Sequence, residues 1–274
     1  DVDDDDEDED RDEIIGYEPK YVVFVSTGFA NITTSTGGIN VFAIDLQTGK
    51  RLWYFSESYT DSVNDIPGAI TLYDMNSDGF ADRLYVGDMN GRLWELDTMT
   101  GLNPHGIDSD NGKQIPLWNA GVGHPISVSP AVIKWGKDVL IVFGTGGADW
   151  AADDNKYSLF AANATVLNES PTYALGAGTI NWEFELPEGE KVWSSPTIYK
   201  GHIFLATSTG SMEGRDPRED VESGTGTLRI LNLDDDSEHD NVVAQDIGKV
   251  RGSIYIDREQ IYMTTIDNQI IRIG

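Results

Sequence analysis

The sequence has no cysteine among its 274 residues, which excludes disulfide bonds, thiolate catalysis and cysteine-ligated zinc. It has no run of 18 apolar residues and nothing that resembles a signal peptide, so we expect no direct membrane insertion. Basic residues are few, because 19 Lys and Arg stand against 47 Asp and Glu, for a formal net charge of −28. A surface of this sign repels nucleic acid and anionic lipid, so neither is expected as a partner.

The acidic excess is most concentrated at the beginning of the chain. Eleven of the first thirteen residues, Asp1 to Glu13, are acidic, and such a run is typical of a solvated tail. We therefore predict a flexible tail over residues 1–16 and one folded region over residues 17–274. An alternative is that the acidic run docks on a basic partner or on a cation. The absence of an initiator Met before Asp1 is typical of a mature product or a fragment.

The apolar segments that follow are short, rich in β-branched and aromatic residues, and bounded by Gly, Asn, Asp or Pro, with no sustained helical period. A repeated opening, in which small residues flank a proline before a strand, occurs at Pro67, Pro130 and Pro196, and in degenerate form at Ser253. The intervals between these positions are 63, 66 and 57 residues. The pattern predicts an all-β fold built from one repeated unit.

Each unit contains the pattern of a four-stranded antiparallel blade. The second strands are predicted at Tyr21–Gly28, Leu84–Asp88, Val139–Gly146, Ile203–Gly210 and Ile261–Asp267. The third strands are predicted at Asn40–Asp45, Arg92–Asp97, Ser158–Ala162, Leu228–Leu233 and Ile270–Ile273. The fourth often carries a tryptophan, as at Trp53, Trp118 and Trp182. These units predict a β-propeller with about five visible blades.

The predicted propeller is ragged at both ends. The first unit lacks an opening strand, and the last ends after its third strand. Because exposed blade edges are prone to aggregation, we expect another chain or further sequence to supply the missing strands. The alternative is a five-bladed ring closed by irregular segments.

The segment from Asp74 to Asp82 has the spacing of a calcium-binding loop. Side-chain oxygens recur at positions 1, 3, 5 and 9 (Asp74, Asn76, Asp78 and Asp82), and Gly79 stands at position 6, where such loops reverse sharply. Phe80, at position 7, would contribute its backbone carbonyl. Position 12 is Tyr85 rather than Glu, and no helix is predicted on either side, so the pattern indicates a Ca²⁺ loop within a sheet and not an EF-hand.

The same residues have two alternative interpretations. A solvated turn could hold the same residues, but clustered carboxylates repel one another without a cation. Mg²⁺ is disfavoured because it requires a stricter octahedral arrangement and retains its waters. A second acidic turn, Asp108 to Gly112, offers only three candidate ligands and is predicted to be solvated.

Two motifs resemble a known family of propellers. The segment Ala43 to Trp53 is similar to the Trp-containing blade motif of quinoprotein-type propellers, in which a strand ends in Asp and a Thr-Gly turn follows. The calcium-loop pattern followed by Tyr85 to Asp88, Gly91, Leu93, Trp94 and Asp97 resembles the C-terminal propeller of the PilY family of type IV pilus biogenesis and tip-adhesin proteins. Weaker similarity to later blades of that family lies at Ser194–Thr197 and Gly252-Ser253.

The resemblance implies a calcium-binding propeller that acts in pilus biogenesis and surface adhesion, outside the cell or at its surface and reached through the periplasm. The Ca²⁺ ligands that it implies are Asp74, Asn76, Asp78, the Phe80 carbonyl and Asp82. The partners that it implies are pilin-like tip subunits, or another chain that completes the propeller. An alternative is a scaffold propeller of a cell-envelope complex, similar to the outer-membrane assembly lipoprotein BamB.

The sequence gives little support for catalysis. Resemblance to quinoprotein dehydrogenases raises the possibility of an enzyme, but the chain has no Cys pair and too few blades, and a compact calcium loop leaves no open coordination position. The four His show no paired metal spacing. Trp53, Trp94, Trp118 and Trp182 are expected between blades, and Trp135 and Trp150 are the candidates for exposed contact. We therefore expect a binding protein rather than an enzyme.

Overall fold

The structure is a computed structural model in which residues 20–28, 38–58, 65–136, 138–147, 155–164, 179–210, 224–234, 241–250, 252–266 and 268–274 are described. The predicted tail over residues 1–16 and Trp150 lie outside these ranges. All regular elements of the described ranges are β-strands, and the strands pair antiparallel. No helix long and apolar enough to cross a membrane occurs in this part of the chain.

The strands form five sheets that follow one another along the chain, and each is called a blade. Blade 1 contains β1 (Val22–Ser26), β2 (Ile39–Asp45) and β3 (Arg51–Glu57). Blade 2 contains β4 (Thr71–Tyr73), β5 (Arg83–Gly87), β6 (Arg92–Asp97) and β7 (Trp118–Asn119). Blade 3 contains β8 (Ala131–Trp135), β9 (Asp138–Gly144), β10 (Ser158–Ala164) and β11 (Thr179–Glu185).

The last two blades continue the same order. Blade 4 contains β12 (Lys191–Val192), β13 (Thr197–Tyr199), β14 (His202–Ser208), β15 (Gly226–Asn232) and β16 (Asn241–Ala244), and both β12 and β13 pair with β14. Blade 5 contains β17 (Tyr255–Asp257), β18 (Gln260–Thr264) and β19 (Ile270–Ile273). The predicted fold class, an all-β propeller with about five blades, is confirmed, and the first and last blades have three strands each among the described residues.

The blades are joined by four apolar clusters, one between each consecutive pair. Successive side chains of one strand point alternately toward the preceding blade and the following blade, because successive residues of a strand face opposite sides of the sheet. Thus Leu84 and Val86 of β5 pack toward blade 1, whereas Tyr85 packs toward blade 3. No cluster of this kind joins blade 5 to blade 1 within the described ranges. The described sheets therefore form an open series.

The tryptophans predicted between blades are found there. Trp53 and Trp94 belong to the cluster between blades 1 and 2, Trp118 packs on the cluster between blades 2 and 3, and Trp182 lies between blades 3 and 4. The expectation of an exposed Trp135 is wrong. This residue is half-buried against the cluster between blades 3 and 4, and its indole N–H donates to a carboxylate oxygen of Asp234.

Removing one side chain from a cluster should destabilise the propeller. Ile141 is fully buried between blades 2 and 3. We expect Ile141→Ala to lower the free energy of unfolding by about 2–5 kcal/mol, since it removes buried contacts and leaves a cavity. The matched control is Val122→Ala, because Val122 is 72% exposed and its truncation should change stability by less than about 0.5 kcal/mol. Equal effects in urea denaturation would contradict the assignment of this core.

Asp45 should make a pH-dependent contribution to stability. Its Oδ1 accepts the backbone N–H groups of Thr48 at 2.8 Å and Gln47 at 2.9 Å. The hydrogen bond from Thr48 and then that from Gln47 lower the pKa of Asp45, against an opposite effect of burial. Because the folded pKa lies below the unfolded value of about 3.9, this contribution is complete near neutral pH and is lost as the pH falls through the folded pKa.

The corresponding measurement compares melting temperatures of the parent chain and Asp45→Ala across the acid range. We expect the difference to be largest near neutral pH and to shrink below about pH 3.9. Asp138→Ala, at an exposed position at the start of β9, serves as the control and should give a small difference at every pH. A constant difference for Asp45→Ala would argue against the ionised carboxylate as its cause.

Candidate metal centre

The predicted calcium loop connects β4 to β5 at one end of blade 2. Its two ends are held together because the Asp82 N–H donates to the Tyr73 carbonyl at 2.9 Å. Met75 packs on the apolar cluster between blades 2 and 3, which anchors the beginning of the loop. The middle of the loop, from Asn76 to Phe80, is exposed, and Phe80 is 56% exposed. The loop is therefore an accessible surface feature on a rigid sheet.

The backbone of the loop curls around its acidic side chains, because these side chains accept hydrogen bonds from backbone N–H groups of the loop. The two oxygens of Asp74 accept the N–H groups of Ser77 at 2.6 Å and Gly79 at 2.7 Å. Asp82 Oδ2 accepts the Met75 N–H at 2.7 Å, so the last ligand position closes onto the first turn.

The exposed middle positions repeat this arrangement. Asn76 Oδ1 accepts the Asp78 N–H at 2.8 Å, and Asp78 Oδ1 accepts the Phe80 N–H at 2.8 Å. The Asn76 amide also donates to Asp78 Oδ2 at 3.1 Å. All four predicted side-chain ligands therefore form hydrogen bonds with other groups of the loop.

The reversal predicted at position 6 has the required backbone conformation. Gly79 has φ 93°, in the region that residues with a Cβ rarely adopt, and a Cβ there would meet no atom within 4 Å. Conformational freedom rather than space is therefore the reason for glycine at this position. Ser77 also has a positive φ, 64°, so the loop reverses at two positions.

The electrostatics of the loop favour an ionised Asp74. Burial acts to raise the pKa of Asp74, but hydrogen bonds from the backbone amides of Gly79, Ser77, Asp78 and Asn76 outweigh it and lower the pKa. In contrast, burial and then the nearby Asp74 raise the pKa of Tyr73. Asp74 is thus a carboxylate over the ordinary pH range, as a ligand of a hard cation must be.

The fit of the loop to a calcium ion can be judged from its donors. The set consists of three carboxylates, one amide oxygen and one backbone carbonyl, all oxygen donors of the kind that Ca²⁺ prefers. Among the described residues, however, no group of three or more His, Asp or Glu side chains is already arranged to hold a metal ion. The oxygens of the four side chains accept hydrogen bonds from backbone amides. The exposed side chains of Asn76 and Asp78 would have to rotate before the ligand oxygens could converge on one ion.

Two residues outside the predicted site, Thr98 and Arg83, fasten the end of the loop. The Thr98 N–H donates to the Asp82 carbonyl at 3.0 Å, and the Thr98 hydroxyl donates to the Ala81 carbonyl. Arg83 donates to the same Asp82 carbonyl at 3.1 Å and pairs with Asp97 at 2.7 Å. The only sequence signal for these contacts is the Asp-x-x-Thr-Gly turn at Asp97–Gly101, which a repeat comparison with Asp45–Gly49 could have found.

A buried polar network lies within blade 2. His105 Nε2 is 2.9 Å from Glu95 Oε2, and both residues are buried. The Tyr85 hydroxyl donates to Glu95 Oε1 at 3.3 Å, and burial, followed by the charge of Glu95, raises the pKa of Tyr85. Arg83 Nε lies 3.4 Å from the same carboxylate. Glu95 is therefore surrounded by donors, as a buried carboxylate requires.

The second acidic segment is a hydrogen-bonded turn. Asp108 Oδ1 accepts the Asp110 N–H at 2.9 Å, and Asp108 Oδ2 accepts the Asn111 amide at 2.8 Å. The Gly112 N–H donates to the Asp108 carbonyl at 2.8 Å. The acidic side chain of Asp108 therefore has a local structural role, and the exposed positions of this turn agree with the prediction of a solvated turn.

Comparisons with known proteins identify similar proteins of two kinds. No protein-family model matches the chain. The type IV pilus biogenesis factor PilY1 of Pseudomonas aeruginosa is 25% identical over 205 residues, which are 67% of this chain and 16% of that protein. The 1-butanol dehydrogenase (quinone) of Thauera butanivorans is 24% identical over 215 residues, which are 75% of this chain and 28% of the enzyme. The chain thus spans less than a third of the length of either relative.

The fold comparison agrees with the first of these relatives. The crystal structure of the P. aeruginosa PilY1 C-terminal domain superimposes with a TM-score of 0.61, covering 92% of this chain and 69% of that domain at 14% identity. Both the sequence match and the fold match therefore lead to the same relative, although quinoprotein dehydrogenases are also similar in sequence. The described residues of this chain therefore form a β-propeller similar to the C-terminal domain of PilY1.

Proposed function

We propose that this chain is the calcium-binding propeller of a PilY-like protein that acts at the tip or in the assembly of a type IV pilus. The observation that carries the proposal is that one pilus biogenesis factor matches the chain both in sequence and in fold. The propeller supplies a rigid body, and its exposed Asp74–Asp82 loop supplies an accessible site on one face. Adhesion, tip location and passage through the periplasm belong to this proposal.

The residues that would hold the ion are Asp74, Asn76, Asp78, the Phe80 carbonyl and Asp82. A bound Ca²⁺ would neutralise part of the mutual repulsion of the three carboxylates and cross-link the two ends of the loop. A carboxylate oxygen has enough lone pairs to accept a backbone N–H and to ligate a cation at the same time. Asp74 and Asp82 can therefore keep their hydrogen bonds, and only the exposed Asn76 and Asp78 side chains have to move.

The stabilisation of the loop by a bound Ca²⁺ would extend beyond the loop through the contacts at its end. Thr98 and Arg83 connect the Asp82 carbonyl to the turn that begins at Asp97. The indole of Trp53, from blade 1, donates to the Thr98 carbonyl at 2.9 Å. Calcium at the loop would thus stabilise the junction between blades 1 and 2, and a partner on that face would bind a better ordered surface.

Calcium titration by calorimetry on the chelator-stripped chain, with thermal unfolding alongside, tests the site. We expect one site with a dissociation constant of about 10⁻⁶ to 10⁻³ M and a rise in melting temperature on saturation. Asp78→Ala should abolish both effects, because it removes a central carboxylate. Asp110→Ala, which removes an exposed acid from the turn between Asp108 and Gly112, is the matched control and should retain them. Unchanged titrations in Asp78→Ala would exclude this loop as the site.

The pilus role is tested separately, in the organism that produces the protein. Deleting the gene should reduce the number of surface pili and the attachment of cells, and pilin-like tip subunits should co-purify with the tagged protein. Restoring the gene with Asp78→Ala should give fewer pili than restoring it with Asp110→Ala. Normal piliation after the deletion would refute the pilus role but would not affect the calcium-binding proposal. Co-purification of barrel-assembly proteins would instead support a role as an envelope scaffold.

The proposal includes no catalytic step, although the quinone-dependent dehydrogenases are similar in sequence. The five loop donors belong to an exposed turn at the end of one blade, where no substrate could be enclosed. We expect no dye-linked oxidation of primary alcohols when the chain is supplied with pyrroloquinoline quinone and Ca²⁺, with an authentic quinoprotein dehydrogenase as the positive control. Turnover above the protein-free rate would overturn this expectation.

A further inference from the structure

A patch of exposed apolar side chains lies at the same end of blade 2 as the candidate metal loop. It is defined by Phe80, Met99 and Leu102, which are 56%, 65% and 68% exposed. Phe80 belongs to the loop between β4 and β5, and the other two residues belong to the turn that follows β6. These three side chains are called the blade 2 patch.

Hydrogen bonds bring the two segments of the patch together. The Thr98 N–H donates to the Asp82 carbonyl at 3.0 Å, and the Thr98 hydroxyl donates to the Ala81 carbonyl. Phe80 directly precedes Ala81, and Met99 directly follows Thr98. Phe80 and Met99 therefore each lie one residue from the same contact, so the loop and the turn form one continuous surface.

The turn that presents Met99 is held in place by its own hydrogen bonds. Asp97 Oδ1 accepts the N–H groups of Met99 at 3.1 Å and Thr100 at 2.9 Å. The Asp97 N–H donates to the Leu102 carbonyl at 2.9 Å, and the Gly101 N–H donates to the Asp97 carbonyl at 2.8 Å. A backbone that is already ordered loses little conformational entropy when a ligand binds to it.

The inner side of this turn is already occupied. A Cβ on Gly101 would overlap the indole ring of Trp53, which packs there from blade 1. Met99 and Leu102 remain largely exposed although this junction is filled. Their side chains are therefore not required for the packing of blade 1 on blade 2.

The corresponding turn of blade 1 shows that the fold accepts polar residues at these positions. In blade 1 the Asp45 N–H donates to the Lys50 carbonyl at 2.9 Å, which is the closing bond of the same kind of turn. The position of Met99 is taken there by Gln47, and that of Leu102 by Lys50. Contiguous apolar side chains at exposed positions that the fold does not require to be apolar are typical of an interaction surface.

A further blade could not cover this patch. Blade 2 packs on blade 1 through one apolar cluster and on blade 3 through another, so both faces of its sheet are occupied. A blade added before blade 1 or after blade 5 would extend the series at its ends and would not reach blade 2 through either sheet face.

The charges around the patch indicate the chemistry of its partner. The loop that carries Phe80 contains three carboxylates, those of Asp74, Asp78 and Asp82. The basic residue that follows this loop, Arg83, is already paired with an aspartate at 2.7 Å. Such surroundings attract a basic segment and repel an acidic one. A second copy of this chain, with its net charge of −28, is therefore disfavoured.

We propose that the blade 2 patch binds a segment of a partner protein in which apolar side chains stand beside Lys or Arg. The apolar side chains of this segment pack on Phe80, Met99 and Leu102, and its basic side chains face the carboxylates of the loop. Met99 suits such a surface, because its flexible, polarisable side chain adapts to the shape of a ligand. Binding at the patch does not require calcium.

A peptide titration followed by NMR tests the patch directly. The probe is a short synthetic peptide in which lysine and phenylalanine alternate, and the two control peptides have Glu in place of Lys or Ala in place of Phe. We expect saturable shifts of the Met99 and Thr100 amides at about millimolar probe, and at least about tenfold weaker binding of either control. A chelator is present throughout, so that the outcome is independent of the calcium proposal. The absence of saturable shifts, or equal binding of the acidic peptide, would overturn the proposal.

A double variant separates the patch from the fold. Met99→Gln combined with Leu102→Gln leaves the charge unchanged at positions that are polar in blade 1. We expect at least about tenfold weaker binding of the probe and a change in melting temperature of less than about 2 °C. Val122→Gln, which changes an exposed apolar residue after β7, is the matched control and should bind the probe like the parent chain. Undiminished binding by the double variant would contradict the assignment of the patch.

Two further measurements decide the source of the bound segment. We expect sedimentation of the chain alone to be the same for the parent and the double variant, because self-association that the double variant abolishes would assign the patch to a second copy. The titration is then repeated with the complete protein isolated from the organism that produces it, where we expect the same binding. Loss of binding in the complete protein would mean that another part of it covers the patch, and would overturn the choice of a separate partner.

Discussion

The structure depends on one packing constraint, which is that each central sheet buries apolar side chains on both of its faces. Tyr85 and Leu84 are neighbours in β5, yet one lies in the cluster toward blade 3 and the other in the cluster toward blade 1. A sheet of this kind cannot be stable with a solvated face, because the apolar area left in water would oppose folding. The packing of consecutive blades on one another follows from this constraint.

Polar groups reinforce the junctions where apolar packing alone would allow sliding. Trp53 and Trp182 each bury an aromatic ring between blades and direct the indole N–H at a particular carbonyl. Within blade 2, Glu95 is enclosed with His105 and Tyr85, and in blade 4 Arg229 pairs with Glu190 at 2.9 Å although Arg229 is almost fully buried. Buried charges with well-placed partners add little net stability, but removing one partner would leave the other charge buried and uncompensated, which is strongly destabilising.

The candidate metal loop is integrated into this architecture. Its beginning is anchored in the core through Met75, and its end is connected through Thr98 to the turn that receives Trp53. A loop with three carboxylates in nine residues would otherwise be expected to splay apart, and the inward hydrogen bonds of Asp74 and Asp82 prevent this by using their oxygens as acceptors. The candidate metal loop is thus connected to the junction between blades 1 and 2.

Local patterns in the sequence were sufficient to predict the strands, the repeat and the loop, because alternation, turn residues and ligand spacing are properties of short segments. The central strands lie within two or three residues of their predicted bounds, and Gly79 has the positive φ that its position in the loop implied. Contacts between segments could not be predicted in this way. The half-burial of Trp135, the burial of His105 against Glu95 and the contact of Trp53 with Thr98 depend on how distant parts of the chain meet. These contacts were decided by the packing of one sheet on the next, which brings together residues that no local pattern relates.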